Sequence, residues 1–260
     1  MDFFAELLAD LRAETADLEA LLEGADWELP TPAEGWTARD QVGHLAWFDE
    51  AATRVVTEPG SLRTDVSVDD LVIEARALRA EAVHAWFRTA RARMLETFAT
   101  LDPRTRLPWY GPPMSAASFA TARLMETWAH GQDIADALGV TRTPTARLRH
   151  VATLGVRAMP YGFAVRGLPA PRDPVRVELT MPDGTPWTAA RKGRRTWCAA
   201  RCSASACSSP SVVTSPTPGW SPRARRRAGG WRWRRRSPAR PARAGLPQGR
   251  FRAIPDDLFG

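Results

Sequence analysis

The chain has 260 residues, of which 44% are apolar and 25% are charged, and its formal net charge is +7. That charge combines two unlike regions: residues 1–190 carry 19 Lys and Arg against 27 Asp and Glu, whereas residues 191–260 carry 17 against 2. All three cysteines lie in the second region, which excludes a disulfide framework and a thiolate zinc site from the first. The sequence has no apolar run of about 18 residues and starts with an acidic segment, so we expect a cytoplasmic protein without a membrane span or secretory signal.

Helical periodicity begins at the N-terminus. Apolar residues recur at spacings of three and four residues and predict an amphipathic helix over residues 2–24, ended by Gly24. After a Pro/Gly loop, Thr37 and Asp40 form a Thr-x-x-Asp variant of the capping box. This motif predicts a second helix that runs to about Val56.

Two further helices are expected before residue 140. The third follows the acidic stretch at 65–70 and runs to about Phe98 along an apolar stripe. A loop at 101–113 precedes the fourth, which Ser115 caps and Gly139 ends. Four helices joined by loops predict a mainly α chain in which residues 1–140 form a four-helix bundle.

The pattern changes after residue 140. A further helix is expected near 147–159, and the alternating segment 175–181 followed by Asp183-Gly184 predicts a β-hairpin. Residues 141–190 are therefore predicted to form a small α/β appendage. We expect this appendage to be incomplete, because regular periodicity ends at Arg191.

Residues 191–260 form a low-complexity basic tail. Its Arg, Pro, Ala, Ser, Gly, Trp and Cys are typical of GC-rich DNA translated in the wrong frame, and segment 207–224 read one base earlier can encode a helix-then-strand pattern. The alternative is a disordered basic arm that binds nucleic acid, with arginines at phosphates and Trp231 and Trp233 stacked on bases. Even an out-of-frame tail of this charge is expected to bind nucleic acid non-specifically.

Two of the predicted helices carry residue types that bind metals. Glu126, His130 and Asp133 recur on one face of the fourth helix, and His44 shares the apolar side of the second helix. A carboxylate and an imidazole one turn apart can reach one cation, and an imidazole from a facing helix completes a His/Glu/His set. Such a set leaves a coordination position open, which is the catalytic mode of zinc.

Each of these residues also has a simpler interpretation. His44 can be a core histidine that is hydrogen-bonded to a neighbour, and Glu126 with His130 can be an ordinary i,i+4 pair. Two buried ionisable groups on one face are costly without a partner, so their burial would favour a metal site. His84 and His150 are expected to be solvated or packing residues.

The segments GWTARDQVGHLAWFDEAA at 35–52 and METWAHGQDIADALG at 125–139 resemble the mycothiol-dependent maleylpyruvate isomerase N-terminal family, within the DinB-like metal-binding four-helix bundles. The segment at 114–140 is also similar to an actinobacterial subgroup of metal-binding proteins, some with a C-terminal region of the wyosine-base-formation type. The resemblance covers about residues 1–190. It implies that His44, Glu126 and His130 ligate a divalent metal, usually zinc.

The same resemblance implies thiol chemistry. Zinc lowers the pKa of the thiol of a small cofactor, mycothiol, and the thiolate attacks an electrophilic substrate. Asp133 is expected to orient a ligand imidazole or a bound water, and Trp109, Tyr110 and Met114 to form an apolar pocket rim. The leading prediction is a zinc-dependent isomerase or S-transferase. The alternatives are a non-catalytic metal-binding module and an RNA-associated protein that acts through its tail.

Overall fold

The computed structural model describes residues 2–63, 74–110, 113–164, 167–169, 176–190 and 197–201. Within these ranges the chain is mainly α, as predicted, and its helices are α1 (Phe3–Leu22), α2 (Ala38–Thr57), α3 (Ala80–Ala99), α4 (Ala116–Leu138) and α5 (Leu148–Ala164). The strands are β1 (Arg106–Leu107), β2 (Met114–Ser115), β3 (Arg176–Thr180), β4 (Pro186–Ala190) and β5 (Trp197–Arg201). None of the described helices is long and apolar enough to cross a membrane.

The ends of α2 and α4 follow from the predicted capping residues. The Thr37 hydroxyl accepts a hydrogen bond from the Asp40 amide, and the Asp40 carboxylate accepts one from the Thr37 amide at 2.9 Å, which completes the capping box. The Ser115 hydroxyl accepts from the Ser118 amide at the start of α4. At the other end, Gly139 adopts a left-handed φ of 68°, a conformation that other residues rarely take.

The third predicted helix is interrupted. Residues 74–76 are helical, residues 77–79 form a turn before α3, and residues 71–73 at the start of the predicted helix lie outside the described residues. Two arginines hold the chain at this turn: Arg39 donates to the Leu78 carbonyl oxygen at 2.9 Å, and Arg76 donates to the Asp40 carboxylate. Long-range side-chain bonds therefore interrupt a segment whose apolar stripe favours a continuous helix.

The four long helices pack in two pairs, α1 against α4 and α2 against α3, and α5 lies on α4. Apolar faces fill the space between them, as the periodicity predicts. The largest fully buried side chains include Leu7, Leu11, Leu18, Leu45, Phe87, Met94, Phe98, Phe119, Leu124 and Ile134.

An ionic network lies inside this apolar packing. Asp49, with 0% of its surface exposed, accepts hydrogen bonds from the Nε atoms of Arg91 at 2.7 Å and of Arg123 at 2.9 Å. Arg91 also donates to the hydroxyls of Thr15 and Thr127. The network therefore joins residues of α1, α2, α3 and α4, and it places two guanidinium groups against one carboxylate in the core.

The segment after α4 forms the predicted small α/β arrangement. Its strands lie in the order β4-β3-β5, with β3 antiparallel to β4 and parallel to β5. The β3–β4 hairpin turns at Asp183-Gly184, as the sequence predicts. Strand β5, at 197–201, is a correction, because we expected no regular structure after Arg191. Backbone pairing with β3 forms this strand although its side-chain pattern shows no period of two. The rest of the predicted tail lies outside the described residues.

Gly43 provides a test of the packing of α2. A Cβ atom added at Gly43 would overlap the Cβ of Ala75. We expect Gly43→Ala to lower the free energy of unfolding by about 1–3 kcal/mol, because overpacking forces a backbone shift. Gly155 in α5 is a matched control, since an added Cβ meets no atom within 4 Å. Chemical denaturation should show Gly155→Ala unchanged or more stable by about 0.5–1 kcal/mol. Equal losses of stability in both variants would contradict the close packing of Gly43 against Ala75.

The buried network provides a second test. Asp49→Asn leaves two buried guanidinium groups without an anion, so we expect a loss of about 3–5 kcal/mol in the free energy of unfolding. Glu6→Gln removes one of the two carboxylate partners of Arg149, at a pair whose side chains are 49% and 32% exposed, and should cost about 0–1 kcal/mol. A loss at Asp49 as small as that at Glu6 would show that the network does not stabilise the bundle.

Candidate metal centre

The structure brings together the three residues that the sequence singled out. His44 extends from α2, while Glu126 and His130 lie one turn apart on α4. The Oε2 atom of Glu126 lies 3.7 Å from the Nε2 atom of His44 and 3.2 Å from the Nε2 atom of His130. One potential ligand atom from each residue lies within 4.8 Å of the other two, so all three can contact one ion.

The protein favours the protonation states of His44 and Glu126 that metal binding requires. Burial lowers the pKa of His44, and the nearby His130 adds to that shift, although the hydrogen bond with Glu126 opposes it. Burial acts to raise the pKa of Glu126, but hydrogen bonds with His130 and His44 outweigh it and hold this pKa well below its usual range. A neutral imidazole and an ionised carboxylate, both with lone pairs available, are therefore favoured at neutral pH.

One side of the site is open to solvent. Only 11% of the His44 side chain is exposed, whereas 35% of the Glu126 side chain is exposed. An ion held by the three residues would thus be covered on the side of α2 and accessible past the carboxylate of α4. This arrangement suits the binding of a further ligand.

Aromatic rings hold the imidazole of His44. Its ring centroid lies 4.5 Å from that of Phe48 and 5.3 Å from that of Trp36, and Trp36 also stacks on His130 at 6.0 Å. The Nδ1 atom of His44 has no hydrogen-bond partner among the described residues, so the ring contacts and the Nε2 contact with Glu126 are what hold this imidazole. Trp36, which directly precedes the Thr37 cap of α2, is not among the site residues that the sequence predicted.

A hydrogen bond to Gln41 holds the second imidazole. The Nδ1 atom of His130 contacts the Oε1 atom of Gln41, a residue with 0% of its surface exposed. Asp133, which is expected to orient a ligand imidazole or a bound water, accepts a hydrogen bond from the Nε2 atom of Gln41 at 3.1 Å. Sequence reasoning missed Gln41, whose only signal is its position one helical turn before His44.

The predicted pocket rim is formed differently from our expectation. The rings of Trp109 and Tyr110 each lie 5.9 Å from Phe48, so they extend the aromatic surface that begins at His44. Met114, by contrast, has 5% of its surface exposed and packs in the hydrophobic core. Its short strand β2 pairs with β1 and directs the residue inward, which corrects its assignment to the rim.

The other two histidines lie in separate environments. His84 bonds Glu19 at 2.8 Å and contacts the ring of Trp27, while His150 is buried against Asp10 at 2.8 Å. Both act as packing residues with an acidic partner. Neither belongs to the group of three that can hold an ion.

Comparison with known proteins places this arrangement in a family. The family described as the mycothiol maleylpyruvate isomerase N-terminal domain matches residues 8–135. Two relatives, each named an uncharacterized protein of Mycobacterium tuberculosis and coming from strains CDC 1551 and ATCC 25618, are 48% identical over 194 residues. The match covers 70% of this chain and 75% of each relative.

Solved structures show the same fold. The crystal structure of the mycothiol-dependent maleylpyruvate isomerase and that of a point mutant each superimpose with a TM-score of 0.54 at 17% identity, covering 75% of this chain and 84% of theirs. The fold is thus a mainly helical, DinB-like one. This chain belongs to the mycothiol maleylpyruvate isomerase N-terminal domain family. The closer resemblance to a wyosine-type subgroup stays a prediction.

Proposed function

We propose that this protein binds one divalent cation, zinc, through His44, Glu126 and His130 and uses it in a reaction of a low-molecular-weight thiol. The observation that carries the metal site is the convergence of three donor atoms from two helices within 4.8 Å. Two imidazole nitrogens and one carboxylate oxygen are a common zinc donor set, and they leave a fourth position for a reacting ligand. The donors present therefore fit the ion.

The thiol chemistry is proposed from the family and from the structural neighbours, whose names describe mycothiol-dependent maleylpyruvate isomerase. A bound divalent cation supplies a Lewis acid that favours the ionised form of a thiol. The exposed side of Glu126 provides the entry for the thiol. The adjoining rings of Phe48, Trp109 and Tyr110 offer an apolar surface on which the electrophilic substrate can pack.

Isomerase and S-transferase reactions both begin with attack of a thiolate on an electrophile, so this site is proposed for that class. The ligands all come from the predicted bundle of residues 1–140, and we place the chemistry there. The predicted α/β appendage at 141–190 packs on this bundle through α5. The cytoplasmic location expected from the sequence suits a small intracellular thiol. Non-specific binding of nucleic acid by the basic tail stays a prediction.

Metal analysis of the full-length protein tests the site. We expect about one zinc ion per chain in the wild type, and at least a tenfold weaker affinity in both His44→Ala and His130→Ala, because each loses a ligand. His84→Ala is the matched control, since it removes an imidazole that is bonded to Glu19 away from the site. Mass spectrometry of the metal and competition with a zinc chelator provide the two measurements. Equal zinc content in all four proteins would exclude the site.

Turnover separates an enzyme from a non-catalytic metal-binding module. We expect the zinc-loaded protein to consume a maleylpyruvate-type or other electrophilic substrate only when mycothiol is present. His44→Ala should lose this activity together with the metal, whereas His84→Ala should keep it. Zinc bound at the three residues without any thiol-dependent turnover across a panel of electrophiles would favour the binding module.

A further inference from the structure

We propose that Gln41 is a positioning residue that fixes the orientation and tautomer of the His130 imidazole, so that its Nε2 lone pair faces the site. This inference rests on the proposed function, because it concerns one of the three proposed ligands. Gln41 lies on α2, has 0% of its surface exposed, and contacts His130 across the interface with α4. The absence of solvent at Gln41 means that its polar atoms depend on protein partners.

The orientation of the Gln41 amide follows from its other contacts. Its Nε2 atom lies 3.1 Å from a carboxylate oxygen of Asp133 and 2.8 Å from the hydroxyl of Thr31. A carboxylate only accepts hydrogen bonds, so the amide must present its NH₂ group to Asp133. The Thr31 hydroxyl donates its proton to the Trp36 carbonyl oxygen at 3.0 Å, so it too accepts from Gln41.

With both amide protons directed away, the Oε1 atom of Gln41 is the one that faces His130. This oxygen can only accept, so the Nδ1 atom of His130 must carry the proton. With Nδ1 bonded to Gln41, Nε2 is the nitrogen directed at the site, 3.2 Å from the carboxylate oxygen of Glu126. A cation bound there would replace the proton that the imidazole otherwise donates to that carboxylate. The hydrogen bonds from Asp133 through Gln41 to His130 thus select the tautomer that can bind a metal at Nε2.

The two imidazoles are consequently held by different means. His44 depends on ring contacts with Phe48 and Trp36, whereas His130 depends on a directional hydrogen bond. Loss of the Gln41 acceptor on α2 should therefore affect His130 far more than the same substitution at a glutamine of α4 that does not contact His130. Gln132 offers that comparison, because it is a half-buried residue of α4 whose side chain bonds Asp136 at 2.7 Å rather than His130.

The test uses zinc affinity, measured by chelator competition on three full-length variants. Gln41→Leu removes the acceptor, and we expect a loss of about 10- to 100-fold in affinity. Gln132→Leu makes the same chemical change away from His130 and should bind as the wild type does. In the double variant Gln41→Glu/Asp133→Asn, residue 133 becomes the donor and residue 41 the acceptor of the hydrogen bond between them. This variant keeps an acceptor for His130 and should recover most of the affinity lost in Gln41→Leu.

A merely structural role would give another pattern. If Gln41 only fills space, the apolar Gln41→Leu should bind zinc as tightly as the wild type, and the buried charge of the double variant should be the more damaging change. The visible absorption spectrum of the Co²⁺-loaded proteins gives a second measurement, since it reports the ligand geometry. We expect it to change in Gln41→Leu and to return toward the wild-type spectrum in the double variant.

The outcomes separate this inference from the proposed function. Zinc binding by the wild type with unchanged affinity in Gln41→Leu, or an equally weak double variant, would overturn the role of Gln41 and leave the metal site in place. Absence of zinc binding in the wild type would overturn the proposed function and this inference with it. If Gln41→Leu does not fold, the affinity of the double variant relative to the wild type decides the question.

Discussion

The carboxylate of Asp49 holds together the part of the molecule on which the site depends. It lies fully buried on α2 and binds Arg91 from α3 and Arg123 from α4, while Arg91 reaches Thr15 on α1. Charges taken out of water are costly unless their partners are well placed, so the helices have few alternative rotations or registers that satisfy them. Apolar packing alone tolerates small rotations much better.

This network sets the geometry of the three residues that we propose as metal ligands. Asp49 lies little more than one turn after His44 on α2, and Arg123 lies one turn before Glu126 on α4. Arg123 also donates to the Leu45 carbonyl oxygen at 3.3 Å, directly beside His44 in the sequence. The ionic contacts therefore fix the two helices relative to each other at the level where their ligands meet. A distance of a few ångströms between donor atoms on separate helices requires such a constraint.

Membership of the family and the solved neighbours agree on the helical scaffold, whereas the chemistry proposed here depends on particular side chains. The neighbours share 17% of their sequence with this chain, which is enough to show a common fold but not a common reaction. The donor set and its open side are features of this chain itself. They support a metal site independently of overall similarity, whereas the thiol chemistry is proposed from the family.

The sequence by itself determined those features that depend on local patterns. The capping box at Thr37 and Asp40, the Gly139 helix end, the hairpin at Asp183-Gly184 and the i,i+4 pair of Glu126 and His130 depend on residues close in the chain, so their geometry follows from helix and turn periodicity. The apolar side of α2 also indicated that His44 faces inward.

Only the tertiary structure decided the contacts between segments that are distant in the sequence. The turn before α3 follows from bonds of Arg39 and Arg76 to distant residues, and β5 follows from pairing with β3. Burial of Met114, the aromatic support of His44, and the path from Asp133 through Gln41 to His130 likewise depend on packing between elements. The pattern of a single sequence does not show which residues form such contacts, because the side chains involved meet only after the helices pack.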